Sequence, residues 1–145
     1  MYTYRHPRPA VAVDIAVFAP GEPETAVLLI QRRNQPYQGA FALPGGFVEP
    51  DEDLSGAARR ELREETGLVK VPLQQIHAFG APDRDPRGRV ISILFAGILP
   101  EGADRKLSAG SDARDLEWHP LSQLPQLAFD HRDMIDRAAQ TLPLT

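Results

Sequence analysis

In a chain with 14 prolines among 145 residues, the proline-free run from Leu54 to Thr66 constrains the fold most. Asp51 and Asp53 stand where a helix N-cap is wanted, and Gly67 stands where a left-handed C-terminal stop is wanted. Ala57, Ala58, Leu62 and the Arg/Glu alternation between them favour helix over every other local state. With Ala58 at zero and about 100° per residue, Leu54 and Leu62 fall near −40° and +40° and define an apolar stripe. Glu65 falls near −20°, inside that stripe, Glu61 near −60° at its border, and Glu64 near −120°. Three carboxylates therefore gather where an ordinary amphipathic helix would bury leucine or alanine.

Two readings fit this conflict. Arg59, Arg60 and Arg63 can neutralise the glutamates on a solvated face, as in most charge runs. Alternatively, carboxylates crowded at i, i+3 and i, i+4 repel unless they share protons or hold a hard cation. An oxygen-rich set without thiolate or imidazole nearby suits Mg²⁺ or Mn²⁺. The helix by itself does not choose between these readings.

Around this segment, Ala10–Phe18 alternates Val11, Val13, Ile15 and Val17 on one side, the period of a strand. Thr25–Arg33 and Phe41–Leu43 are further strand segments, and Pro44-Gly45-Gly46 reads as a tight turn. Beyond Gly67, strands are expected at Leu73–Phe79, Val90–Leu99 and Leu116–Leu121. A turn-rich stretch at 82–88 and a loop at 100–114 separate them. Phe129–Thr141 has helical spacing. Strands and helices mix without regular βαβ alternation, so the fold class is α+β, with one domain over residues 1–145.

Composition narrows the function. Apolar residues make up 42% and charged residues 25%, values that support an ordinary packed core. The absence of cysteine excludes disulfides, thiolate zinc sites and cysteine nucleophiles. A net charge of −4 argues against a general nucleic-acid surface. No apolar run reaches the roughly 18 residues of a membrane span, so the expectation is a cytoplasmic protein with no membrane or nucleic-acid partner. A homodimer is left open.

Residues 46–68, GFVEPDEDLSGAARRELREETGL, carry a denser signal. Gly46, Glu52, Arg60, Glu61, Leu62, Glu64, Glu65, Gly67 and Leu68 stand at the spacing of the Nudix box, without a gap. The chain is identified by this match as resembling the Nudix hydrolase family. The resemblance implies an α/β/α sandwich around a mixed sheet and divalent-metal hydrolysis of a nucleoside diphosphate derivative. It further implies Glu61, Glu64 and Glu65 as metal carboxylates, the Gly45 carbonyl as another oxygen ligand, and Arg60 and Glu52 as supporting catalytic residues. The general base or an extra ligand usually lies on a later loop, where Asp112 is the candidate and Asp115 and Glu117 are alternatives.

Pro82, 15 residues after Gly67, and the segments PYQGAFALPGGFVE, RDPRGRVIS and LAFDH resemble the ADP-ribose pyrophosphatase branch. That likeness implies hydrolysis of ADP-ribose to AMP and ribose 5-phosphate. Arg32 and Arg84 are candidates for phosphate or ribose contacts, because guanidinium forks suit both. Phe79, Phe129 and Trp118 are weaker candidates for stacking on adenine, lone aromatics being more often core. His77, His119 and His131 read as structural, His131 least clearly. The rival readings are an ADP-ribose-sensing binding module, and a pyrophosphatase for NADH, a sugar nucleotide or a damaged nucleoside triphosphate.

Overall fold

The computed structural model describes residues 2–105 and 115–144. Its centre is β1 (Ala10–Ala19), a strand buried on both sides over most of its length. The alternation expected from sequence is present: Val13, Ile15 and Val17 enter one apolar cluster, with Val11 packed against it, while Ala16 and Phe18 enter a second on the opposite face. A strand apolar on both faces has to sit inside a sheet with layers above and below it.

The neighbours of β1 are β2 (Ala26–Gln31), β4 (Gly45–Phe47) and β6 (Val90–Ile98). β6 pairs with it in parallel from Ala10↔Val90 to Phe18↔Ile98, whereas β2 and β4 are antiparallel. The seven-stranded sheet runs β3-β2-β1-β6-β5, with β3 (Phe41–Ala42) and β5 (Gln74–Phe79) at its ends. β7 (Leu116–Pro120) pairs with β2. Helix α1 (Leu54–Thr66) covers one face through Ala57, Ala58 and Leu62, and α2 (His131–Thr141) covers the other through Met134, Ile135 and Ala138. The α+β sandwich around a mixed sheet is therefore the observed architecture. Among the described residues no helix is long and apolar enough to cross a membrane.

Helix α1 begins and ends where its caps dictate. The Asp53 carboxylate accepts from the Leu54 amide at 2.8 Å, and Gly67 adopts φ 79° while its amide donates to the Arg63 carbonyl. The threonine before that glycine is buried and donates its hydroxyl to the Leu62 carbonyl, closing the last turn.

Two local expectations are corrected. Gly45 and Gly46 form strand rather than tight turn, because β1 lies against them in the register Asp14↔Gly45 and Val13↔Gly46. A Cβ on Gly45 would run into the Val13 carbonyl and the Asp14 carboxylate, so glycine is required by close approach and not by a turn. Helix α2 starts at His131, two residues later than its periodicity suggests, because Phe129 stands at φ 53°, outside helical space. Arg32 and Arg33 likewise lie beyond the end of β2.

Candidate active site

β1, β4 and the end of α1 meet at a cavity of about 420 Å³. Its acidic wall includes Asp14 and Glu65, with Gly45 and Gly46 between them; its basic wall is formed by Arg32, Arg84 and Arg87. Phe129 and His131 close a third side. Both charge types thus line one concave surface on a protein of net negative charge.

Glu65 is placed by helical geometry. From the last turn of α1 its Oε1 accepts the Gly45 amide at 2.9 Å. Burial pushes its carboxyl up to about 8, and Glu61 and Asp14 add like-charge pressure. Glu61, 14% exposed, is one neighbour that adds to this upward push, so without a cation Glu65 is driven to keep its proton. Glu61 also presses against Gly46, where an added Cβ would lie 2.5 Å from its Oε1. Two glycines and two carboxylates are therefore packed face to face.

Arg60 braces this arrangement from behind. Its Nε and Nη2 donate to Glu52 at 2.6 and 2.8 Å, Nη2 also reaches the Phe47 carbonyl, and Nη1 donates to Glu61 at 2.8 Å. The guanidinium holds the Glu52 carboxyl down at about 2, so Glu52 is a permanent anion and the clamp does not titrate near neutrality. One side chain thereby ties α1 to the strand and loop that precede it.

Glu64 is turned away. It is 53% exposed and reaches Arg60 at 3.3 Å. Among the described residues no group of three or more acidic or histidine side chains is arranged to hold an ion. The structure brings together Glu61, Glu65 and the Gly45–Gly46 backbone, and leaves Glu64 outside that contact. The donor set still fits a hard divalent cation: two adjacent half-buried carboxylates, one of them driven to keep a proton, lie beside close-packed glycine backbone.

The predicted substrate contacts divide in the same way. Arg32 donates through Nε to the Pro36 carbonyl, and its guanidinium stands 5.1 Å from the centre of the Phe129 ring. It borders the cavity with no carboxylate pair of its own among the described residues. Burial and the neighbouring Arg87 lower its affinity for its proton, against the opposing pull of Asp85, Asp14 and Glu65. Arg84 is only 5% exposed and grips Asp130 through Nε and Nη2 at 2.9 and 2.7 Å. Two of its donors are occupied within the protein.

Among the weaker candidates, Phe129 borders the cavity, whereas Phe79 and Trp118 pack against the two cores. His77, on β5, contacts Arg137, and His119 sits edge-on to Phe41. Asp112 lies outside the described residues. Of the alternatives to it, Asp115 stands 3.9 Å from Arg33 and Glu117 stands 3.1 Å from His119.

Sequence reasoning missed Asp14, Arg87 and the buried setting of His131. Asp14 did carry a signal, being the one charged residue in β1, AVAVDIAVFA. A charge in an otherwise apolar central strand marks a position with a partner or a function.

A NUDIX domain model matches residues 8–138. The chain belongs to the NUDIX family, and its class is that of a Nudix pyrophosphohydrolase. Its similarity is high to the ADP-ribose pyrophosphatase of Methanocaldococcus jannaschii, 47% identical over 91% of this chain and 73% of that protein. It is 37% identical to the ADPR responsive transcriptional repressor NtrR of Acinetobacter baylyi, over 92% of this chain but only 54% of the repressor. Among solved structures, the NUDIX domain of Shewanella oneidensis NrtR in complex with ADP ribose superposes with a TM-score of 0.83 at 30% identity, covering 93% of this chain and 89% of that one.

Proposed function

We propose that the protein hydrolyses the pyrophosphate of ADP-ribose to AMP and ribose 5-phosphate with Mg²⁺ or Mn²⁺ as cofactor. The observation that carries the reading is the half-buried Glu61–Glu65 pair packed on Gly45 and Gly46. Two carboxylates forced together in a low-dielectric wall are unfavourable unless a cation or a proton joins them. In this reading Glu61, Glu65 and the Gly45 carbonyl hold the ion, with Glu64 joining once it leaves Arg60. The bound ion supplies charge neutralisation of the diphosphate and activation of a water. Similarity to the archaeal ADP-ribose pyrophosphatase supports the choice of substrate.

The residues of the chain then have separate tasks. Arg32 offers its free guanidinium edge to the anionic or ribose end of the substrate. Arg84, fixed on Asp130, shapes the opposite wall and presents its remaining nitrogen. Arg60 and Glu52 keep Glu61 and the end of β4 in register. Asp112 is retained as the proposed general base.

The repressor relatives favour a second reading, a module that binds ADP-ribose without physiological hydrolysis. A panel of nucleoside diphosphate derivatives, with calorimetric binding and AMP release measured in parallel, separates the two. Rapid AMP release from ADP-ribose, lowered at least about a hundredfold in Glu65→Gln, is the expected result. Tight binding without release would favour the module, and turnover confined to NADH, sugar nucleotides or nucleoside triphosphates would replace the substrate.

A further inference from the structure

A buried polar chain runs beneath the cavity and ends on the backbone that faces Glu65. It starts at Ser92 of β6, whose hydroxyl donates to Asp14 Oδ2. Asp14 Oδ1 lies 3.5 Å from Nε2 of His131, the first residue of α2. His131 Nδ1 accepts the amide of Leu43 at 3.0 Å. Ser92, Asp14, His131 and Leu43 are all buried, so each of these polar groups depends on the others for its hydrogen bond.

Donor and acceptor accounting fixes the protons. An amide can only donate, so Nδ1 must present its lone pair to Leu43 and cannot carry hydrogen. The single proton of the neutral ring is therefore on Nε2, directed at Asp14. A doubly protonated ring would set Nδ1–H against the Leu43 N–H and break the contact. Burial disfavours that form as well.

Leu43 leads directly into the backbone of the site, which gives the contact its weight. The Pro44 carbonyl accepts the Ile15 amide at 2.8 Å, and the Gly45 amide donates to Glu65 Oε1 at 2.9 Å. Three successive residues are thus pinned to α2, β1 and α1 in turn. The outer two pins constrain the chain that leads into Gly46, against which Glu61 is packed. Of the three, only the first depends on a side chain that is neither glutamate nor backbone.

We propose that His131 is a positioning residue of the active site: its neutral imidazole, with the proton on Nε2, pins the Leu43 amide and thereby sets where the Gly45–Gly46 backbone stands against Glu65 and Glu61. The catalytic consequence rests on the reading of that pair as the reaction centre. The requirement is for an acceptor at the Nδ1 position and a donor at the Nε2 position. Asparagine can supply the first, through an oxygen near Nδ1, and glutamine the second, through a nitrogen near Nε2.

The test uses the wild-type protein, His131→Asn and His131→Gln. Nitrogen NMR of the wild-type ring should show Nδ1 bare and Nε2 protonated at pH 7. Both variants should melt lower by similar amounts. His131→Gln should expose the Leu43 and Gly45 amides to faster hydrogen exchange and lose at least about tenfold in kcat on ADP-ribose with saturating Mg²⁺, with KM changed far less. His131→Asn should recover most of that kcat and the slow exchange. A proton on Nδ1 in the wild type, or equal losses of kcat in the two variants tracking their loss of melting temperature, would overturn the proposal. If the wild type does not cleave ADP-ribose, the functional reading fails separately, and the ring protonation with the two exchange rates decides the pin.

Discussion

Replacing Glu65 by glutamine should make the metal-free protein more stable while removing its proposed activity. The carboxyl group is pushed from about 4.5 to about 8 by burial and by Glu61 and Asp14. Between those values the folded chain holds a proton that the unfolded chain has released. Stability therefore falls as pH rises through the window, by about 1.4 kcal/mol per unit for one full proton. From pH 4.5 to 7 the limit is about 3 kcal/mol, of which about 2 kcal/mol is expected once the folded site relaxes around the charge. Glutamine carries no charge in either state. Its oxygen still accepts from Gly45, and its amide can donate to Glu61. For a chain of this length the gain corresponds to roughly 6 °C in Tm. Thermal unfolding in EDTA should show the variant ahead of wild type at pH 8 and level with it below about pH 3.5, where Glu65 is protonated in both the folded and the unfolded chain. Added Mg²⁺ should raise the wild-type Tm and leave the variant nearly unmoved, because only the former gains by binding. A variant that melts at or below wild type at pH 8 in EDTA would refute the argument that Glu65 is a strained carboxylate.

The glycines of β4 should separate stability from activity. Gly45→Ala drives a Cβ into the Val13 backbone and should lower stability by about 2 kcal/mol in urea unfolding. Gly46→Ala meets only the flexible end of Glu61, so it should unfold within about 1 kcal/mol of wild type and yet lose about a hundredfold in kcat through displacement of that carboxylate. Arg60→Lys keeps the charge and loses the fork that spans Glu52, Glu61 and the Phe47 carbonyl. Steady-state assays should register a loss of about 10- to 100-fold, whereas an unchanged rate would mean that the clamp has no bearing on the reaction.

What could be read from sequence was whatever local rules decide. The ends of α1 were legible because Asp53 and Gly67 act on their immediate neighbours. The two faces of β1 were legible because its side chains alternate and both faces are apolar. β4 was not, since a glycine pair has turn chemistry and becomes strand only when β1 is present to pair with it. The Arg84–Asp130 and Asp14–His131 contacts join positions 46 and 117 residues apart, and no local pattern anticipates either. The direction of Glu64 was hidden for a different reason: a helical wheel gives an angle, and the rotamer that carries its carboxylate to Arg60 is chosen by charge.

Among the described residues, Glu65, Asp14 and Phe129 each break a local rule, and they break different ones. Glu65 is a carboxylate in an apolar helical stripe, Asp14 is a charge in a doubly buried strand, and Phe129 is a bulky side chain at φ 53°. Each has a partner that makes it tolerable: the Gly45 amide for Glu65, Ser92 and His131 for Asp14, and Tyr37 at 4.8 Å for Phe129. Tolerance does not explain why such residues are used, because leucine, valine or a glycine would fold at these positions at lower free energy. All three border the same cavity, and Tyr37, itself at φ 61° and outside the lining, packs on Phe129. Strain kept for unrelated structural reasons would be scattered over the molecule, whereas strain serving a ligand has to be gathered where that ligand sits. Asp14 and Phe129 lie outside the motif in α1, so their meeting with Glu65 at one cavity adds to what that motif indicates and needs no relative.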